Sequence, residues 1–135
     1  MPLMEWDNTF SVNVGEIDDQ HRRLVGMLNR LNDAMKARQA KEVLGPIIDG
    51  LVDYAATHFA TEETYFDRFG FSGALRHKTE HRRFVDRIRE FQKGFSAGKM
   101  MLSIEIMEFL KTWLVDHIKG SDQRYSGCFN ENGLR

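Results

Sequence analysis

Five histidines and two carboxylates, spread from residue 21 to residue 122, fall on one spacing pattern: His21, then His58-x-x-x-Glu62, His77-x-x-x-His81 and His117-x-x-x-x-Asp122. These are all the histidines of the 135-residue chain. Residues four apart on an α-helix stand about 40° apart in azimuth and roughly 6 Å apart along the axis, so both side chains can reach one point. The pattern reads as a metal site that uses every histidine, and the fold has to bring three such pairs and His21 to one level.

Apolar residues recur at three- and four-residue steps with little Gly or Pro between them, which predicts amphipathic helices at about 18–38, 41–69, 73–95 and 103–119. The first helix opens at the capping pair Asp18-Asp19 and carries His21 at the head of a stripe through Leu24, Leu28, Leu31 and Met35. In the second, Leu44, Ile48, Leu51 and Ala55 lead on to His58 and Glu62, and Pro46 either delays its start to Gly45 or bends it there. The third has His77 and His81 ahead of Phe84, Ile88, Phe91 and Phe95; the fourth has Ile106, Leu110, Trp113 and His117 on one face. Short connections make these an all-α, antiparallel up-down-up-down four-helix bundle. In that topology ligands early in helices one and three and late in two and four share one end. Residues 1–17, with Trp6, Phe10, Val12, Val14 and Ile17 out of helical period, read as an extended arm packed across the bundle, and 123–135 as a tail. The length fits one domain over 1–135.

Lys+Arg of 19 against Asp+Glu of 20 leaves a net charge of -1, so bulk charge selects neither nucleic acid nor anionic lipid. The start has no basic segment followed by an apolar run, and no stretch of about 18 apolar residues occurs, so a soluble, cytoplasmic protein without a membrane partner is expected. Cys128, the single cysteine, permits no internal disulfide and suits a reducing compartment. The arginines around His77 and His81 alternate with Glu80, Asp86 and Glu90 as a solvated mixed-charge face.

Buried carboxylates without partners and clustered imidazoles would be strongly destabilising in the absence of a cation. Imidazole nitrogen and carboxylate oxygen without thiolate exclude structural zinc fingers and iron–sulfur clusters and suit Fe, Mn or Zn. Seven side chains exceed the positions of one octahedral ion, so two ions are implied, with Glu62 and Asp122 as the natural bridges. If both bridge and an oxo or hydroxo group is shared, an ion with three histidines reaches six donors and one with two reaches five, leaving an open position. One spacing is awkward: the step of five positions from His117 to Asp122 subtends about 140° on an ideal helix. A π-bulge or a break around Lys119-Gly120 is therefore expected to turn Asp122 inward.

With Asp19-Gln20-His21, His58-Phe59-x-x-Glu62-Glu63 and Trp113-Leu114-Val115-x-His117 in place, the chain resembles the hemerythrins, in their single-domain bacterial form, from Glu5-Trp6 to Tyr125. The resemblance implies two Fe ions with a bridging oxo or hydroxo group, His77, His81 and His117 on the saturated iron and His21 and His58 on the open one. It implies reversible O2 binding for transport, storage or delivery, without catalysis, and binding of small anions such as azide to the ferric form. An O2-consuming enzyme is the partner such a carrier would serve. Reversibility needs a dry pocket, and Leu24, Phe59, Trp113 and Leu114, each one to four residues from a ligand, are its expected walls. Tyr125 stays outside the ligand set. An O2 or redox sensor acting through a partner protein is the alternative. A di-iron oxidase or peroxidase of the ferritin-like sort, with four glutamates and two Glu-x-x-His pairs, fits this donor set less well.

Overall fold

The computed structural model describes residues 2–135, and among them there are helices and turns but no strand. Four long elements alternate in direction: α1 (Gly15–Lys36), α2 (Lys41–Phe69), α3 (Ala74–Ser96) and α4 (Ile104–Asp116). A π-helical turn, His117–Ser121, then leads without interruption into α5 (Gln123–Glu131). The reversal between α2 and α3 is made at Gly70, whose φ of 63° is left-handed and whose position lets Phe71 N–H donate to Phe66 C=O at 3.0 Å. Ser103 caps α4 by accepting from Ile106 N–H at 3.3 Å. No helix of the described residues is long and apolar enough to cross a membrane.

The stripes read from the sequence do face one another. Leu24, Leu28 and Leu31 of α1, Ile48, Val52 and Ala55 of α2, Phe84 and Ile88 of α3, and Met107, Leu110 and Leu114 of α4 form the main core. α1 packs closely on α2 and α2 on α3, while α3 and α4 approach each other least. α2 starts at Lys41 and holds Pro46 in its second turn, where one backbone bond is forgone but the helix continues.

Three expectations are corrected. The first helix begins at Gly15 rather than at Asp18, and Asp18 is no cap: it is buried and accepts from Val12 N–H at 2.8 Å and Ser11 Oγ–H at 2.6 Å. Its carboxylate thus satisfies the arm instead of the helix end, as a buried carboxylate must have donors somewhere. The arm is not wholly extended, since Asn8–Phe10 form a 3-10 turn capped by Asp7, which accepts from Thr9 N–H at 2.8 Å. Residues 123–135 are not a tail. The π turn inserts one residue into the helical path without breaking it, so α5 returns Tyr125 and Phe129 to a second core with Val12, Val14, Ile17 and Phe66. Ser126 Oγ donates to Val12 C=O at 2.7 Å and Asn130 Nδ2 to Asn13 C=O at 3.0 Å, so arm and last helix hold each other.

Asp18→Ala is expected to leave both arm donors without their buried acceptor and to lower unfolding stability by about 2 kcal/mol. A denaturant midpoint within error of the parent would show that the arm docks without this carboxylate.

Candidate metal centre

The seven sequence-predicted residues meet at one end of the bundle. His21 comes from the second turn of α1, His58 and Glu62 from the carboxyl-terminal half of α2, His77 and His81 from the first half of α3, and His117 and Asp122 from either end of the π turn. All seven are buried, and Glu62 and Asp122 are 0% exposed. Asp122 reaches the layer because its N–H donates to His117 C=O at 2.9 Å, an i to i−5 bond that replaces the ordinary helical step. Lys119 and Gly120, at the middle of that turn, are exposed, so the bulge bends outward into solvent.

Their donor atoms form two overlapping groups, each with all atoms within 4.8 Å of one another. One comprises Glu62, His77, His81, His117 and Asp122; the other comprises His21, His58, Glu62 and Asp122. Both carboxylates belong to both groups. Asp122 divides its oxygens: Oδ1 lies 2.8 Å from His77 Nε2 and 3.1 Å from His117 Nε2, and Oδ2 lies 3.1 Å from His21 Nε2. Glu62 directs one oxygen to both sides, with Oε1 3.1 Å from His58 Nε2 and 3.3 Å from His81 Nε2.

Whether a cation fits can be judged from what these atoms lack. Glu62 Oε1, both oxygens of Asp122 and both ring nitrogens of His21 are buried without a properly formed hydrogen bond. His117 Nε2 sits 3.1 Å from the Nε2 atoms of both His77 and His81, so ring nitrogens that cannot all carry a proton toward one another converge on one space. Buried polar groups are normally satisfied, and a set of lone pairs aimed at one point is the complement of a positive ion. The residues fit two metal ions.

The outer partners orient the rings. His58 Nδ1 lies 2.6 Å from Gln20 Oε1, His81 Nδ1 2.9 Å from Glu63 Oε2, and His117 Nδ1 3.2 Å from Glu80 Oε2. An Nδ1–H donated to each of those oxygens leaves the Nε2 lone pair facing inward. Ser121, in the π turn, donates to Glu80 Oε2 at 2.6 Å and so fixes the carboxylate that fixes His117. The five-donor group is backed by two carboxylates and the four-donor group by a neutral amide, which makes the histidines of the former the more basic donors. Gln20 and Glu63 stand in the sequence motifs that carry the resemblance, whereas Glu80 and Ser121 carry no metal-site signal of their own; their only cue is a position beside a ligand.

Electrostatics inside the layer agree with this arrangement. Burial and the neighbouring Asp122 push Glu62 toward protonation, but His58 and His81 outweigh them and hold its carboxyl well below the usual range. Burial likewise opposes the charge on Asp122, and His117, His21 and His77 overcome it. Burial pulls His117 down, yet Asp122, Glu62 and Glu80 leave it raised. Tyr125, which stands outside the ligand set, donates its hydroxyl to Glu62 Oε2 at 2.5 Å. Burial first, and the charges of Asp122 and Glu62 after it, raise this phenol well above its ordinary value, so it stays a donor.

Of the four residues expected to wall a pocket, Phe59 stacks on the His81 ring at 3.9 Å between centroids, and Leu24 and Leu114 line an apolar cavity that adjoins the layer. Trp113 instead stacks on His117 at 4.4 Å and on Phe84 at 3.8 Å, off the cavity wall.

A helical bundle with histidines and two shared carboxylates converging on two ion positions defines a non-heme di-metal protein. The family model of the hemerythrin HHE cation binding domain matches residues 12–128. A bacteriohemerythrin of Stenotrophomonas maltophilia (strain R551-3) is 37% identical over 126 residues, 93% of this chain and 81% of the relative. A bacteriohemerythrin of Methylococcus capsulatus is 36% identical over 131 residues, 96% of this chain and 99% of the relative. The crystal structure of a wild-type hemerythrin superposes with a TM-score of 0.89 at 36% identity, covering 93% of this chain and 97% of that one. A leucine-to-alanine variant of hemerythrin gives 0.91 at the same identity. The chain belongs to the hemerythrin family, whose members bind O2 at a di-iron centre and are not enzymes.

Tyr125→Phe is expected to free Glu62 Oε2 and to weaken metal retention roughly tenfold to a hundredfold, the usual effect of losing an outer-shell hydrogen bond. Competition with a chelator measures it, and unchanged retention would reduce the hydroxyl to a packing role. Metal removal by a chelator should also lower the thermal midpoint, because the layer's lone pairs and charges are then left without their cations.

Proposed function

We propose that this protein is a cytoplasmic O2 carrier or store, with His77, His81, His117, Glu62 and Asp122 holding one iron and His21, His58, Glu62 and Asp122 the other. The observation that carries the reading is the inequality of the two donor groups around shared carboxylates: five side chains on one side and four on the other. The poorer group has the room for an exogenous ligand. When bound, the di-iron centre supplies the reversible O2 chemistry.

The chain's own residues keep that chemistry reversible. Leu24, Phe59 and Leu114 present hydrocarbon to the space beside the metal layer and exclude water from it. Trp113 contributes by fixing the His117 ring from its face. Fixed Nε2 donors, held by Gln20, Glu63 and Glu80, limit how far the layer rearranges between ligand states. Azide, a small anion, should compete for the same position on the oxidised form. Delivery to an O2-consuming enzyme is the physiological use consistent with a site that does not turn over.

Anaerobic reduction followed by O2 titration and deoxygenation tests the proposal: the deoxy spectrum should return in full over repeated cycles with two irons per chain. Failure to recover it would sink the carrier reading. Leu114→Ala should open the wall to water and speed autoxidation severalfold; an unchanged rate would remove Leu114 from that role.

A further inference from the structure

An apolar cleft of about 630 Å³, open to solvent on the side of α3 and α4, runs into the bundle from Leu24, Phe59 and Leu114, beside the metal layer, to Leu31, Phe91 and Met100 toward the opposite end. That is far more room than O2 requires: an apolar cavity of about 150 Å³ already accommodates benzene, and pockets for drug-sized ligands run from about 300 to 1,000 Å³. Every wall residue is aliphatic, aromatic or methionine except five at the rim: Arg83, Asp86, Arg87 and Glu90 of α3 and Glu105 of α4, all exposed.

The rim marks the entrance, because α3 and α4 are the neighbouring helices that pack least closely. Arg87 spans this seam with its guanidinium 4.3 Å from the Phe109 ring centroid, a contact between flexible side chains rather than interlocked backbones. Two cations and three anions around the mouth select no charged head group, and no polar side chain within the walls would bind one. Water in a cleft so lined finds few polar partners, so an apolar guest that displaces it gains hydrophobic burial and dispersion contacts.

We propose that this cleft binds an uncharged, mainly hydrocarbon small molecule, of the class of a medium-chain alkane or alcohol, admitted between α3 and α4. The ligand would lie along the core stripes of all four helices with one end against Leu24 and Leu114, so that a second, non-gaseous ligand shares a wall with the metal layer. The binding is independent of whether O2 is held reversibly, since it involves none of the metal-binding side chains.

Calorimetric titration of 1-octanol into the metal-loaded protein tests this directly. One saturable site per chain with a negative heat-capacity change is expected, the mark of apolar burial. Ala55→Phe, which fills the cleft from α2, should weaken binding at least tenfold while far-ultraviolet circular dichroism and the two bound irons are retained. Absence of saturable binding, or unchanged affinity in the folded variant, would overturn the proposal. Should the variant not fold, photolabelling of the parent with a diazirine-bearing octanol decides: adducts on Leu28, Ile88 or Leu110 support the site, and adducts confined to the exposed Leu75, Met101 and Ile104 refute it.

Discussion

Two fully buried carboxylates among five imidazoles are the interaction on which the rest of this structure depends. Glu62 and Asp122 have no solvent, and the groups around them are bases that cannot all be protonated together. Their charge is tolerable only if every neighbour is held in one orientation, and the molecule is arranged to do that. Gln20, Glu63 and Glu80 fix three rings from behind, Tyr125 restrains Glu62, and the π turn delivers Asp122. The bundle's stripes bring the helices together, but the polar layer decides their register along one another, because sliding any helix by a turn would take its ligands out of reach.

The π turn shows how a local irregularity can be the condition for a regular layer. On an uninterrupted helix Asp122 would point away from His117, and a helix that ended at Gly120 would lose Tyr125 and Phe129 from the second core. One inserted residue reconciles these demands, and Ser121 within it also restrains Glu80. The bulge is therefore part of the site's construction, in keeping with the frequent use of such turns at functional positions.

Much of this was legible in the sequence because the signals were periodic. His21, His58, Glu62, His77, His81 and His117 each continue an apolar stripe, so helical geometry alone places them on core faces, and the misfit of Asp122 announced the π turn. Positions governed by single contacts were not legible. Asp18 carries the signature of a cap, yet it serves the arm, because its partners Ser11 and Val12 lie outside any periodic segment. Lys119-Gly120 read as either a bulge or a break, and the helix persists through it since the second core holds α5 in place. Nor could periodicity reveal the apolar cleft, which depends on how closely α3 approaches α4 and not only on which residues each contributes.

The mutual grip of the arm and α5 gives the molecule a temporal order. Val12 and Asn13 near the beginning of the chain receive hydrogen bonds from Ser126 and Asn130 near its end, and the last metal-site carboxylate belongs to residue 122. During synthesis the arm can meet α1 early, through Asp18 and Asn29, but Val12 and Asn13 lack their α5 donors until nearly the whole chain has emerged, and both donor groups stay incomplete for the same interval. Neither ion position can be filled in its final form on a nascent chain, so the two halves of the layer are completed together, as a late event that coincides with closure of the fold.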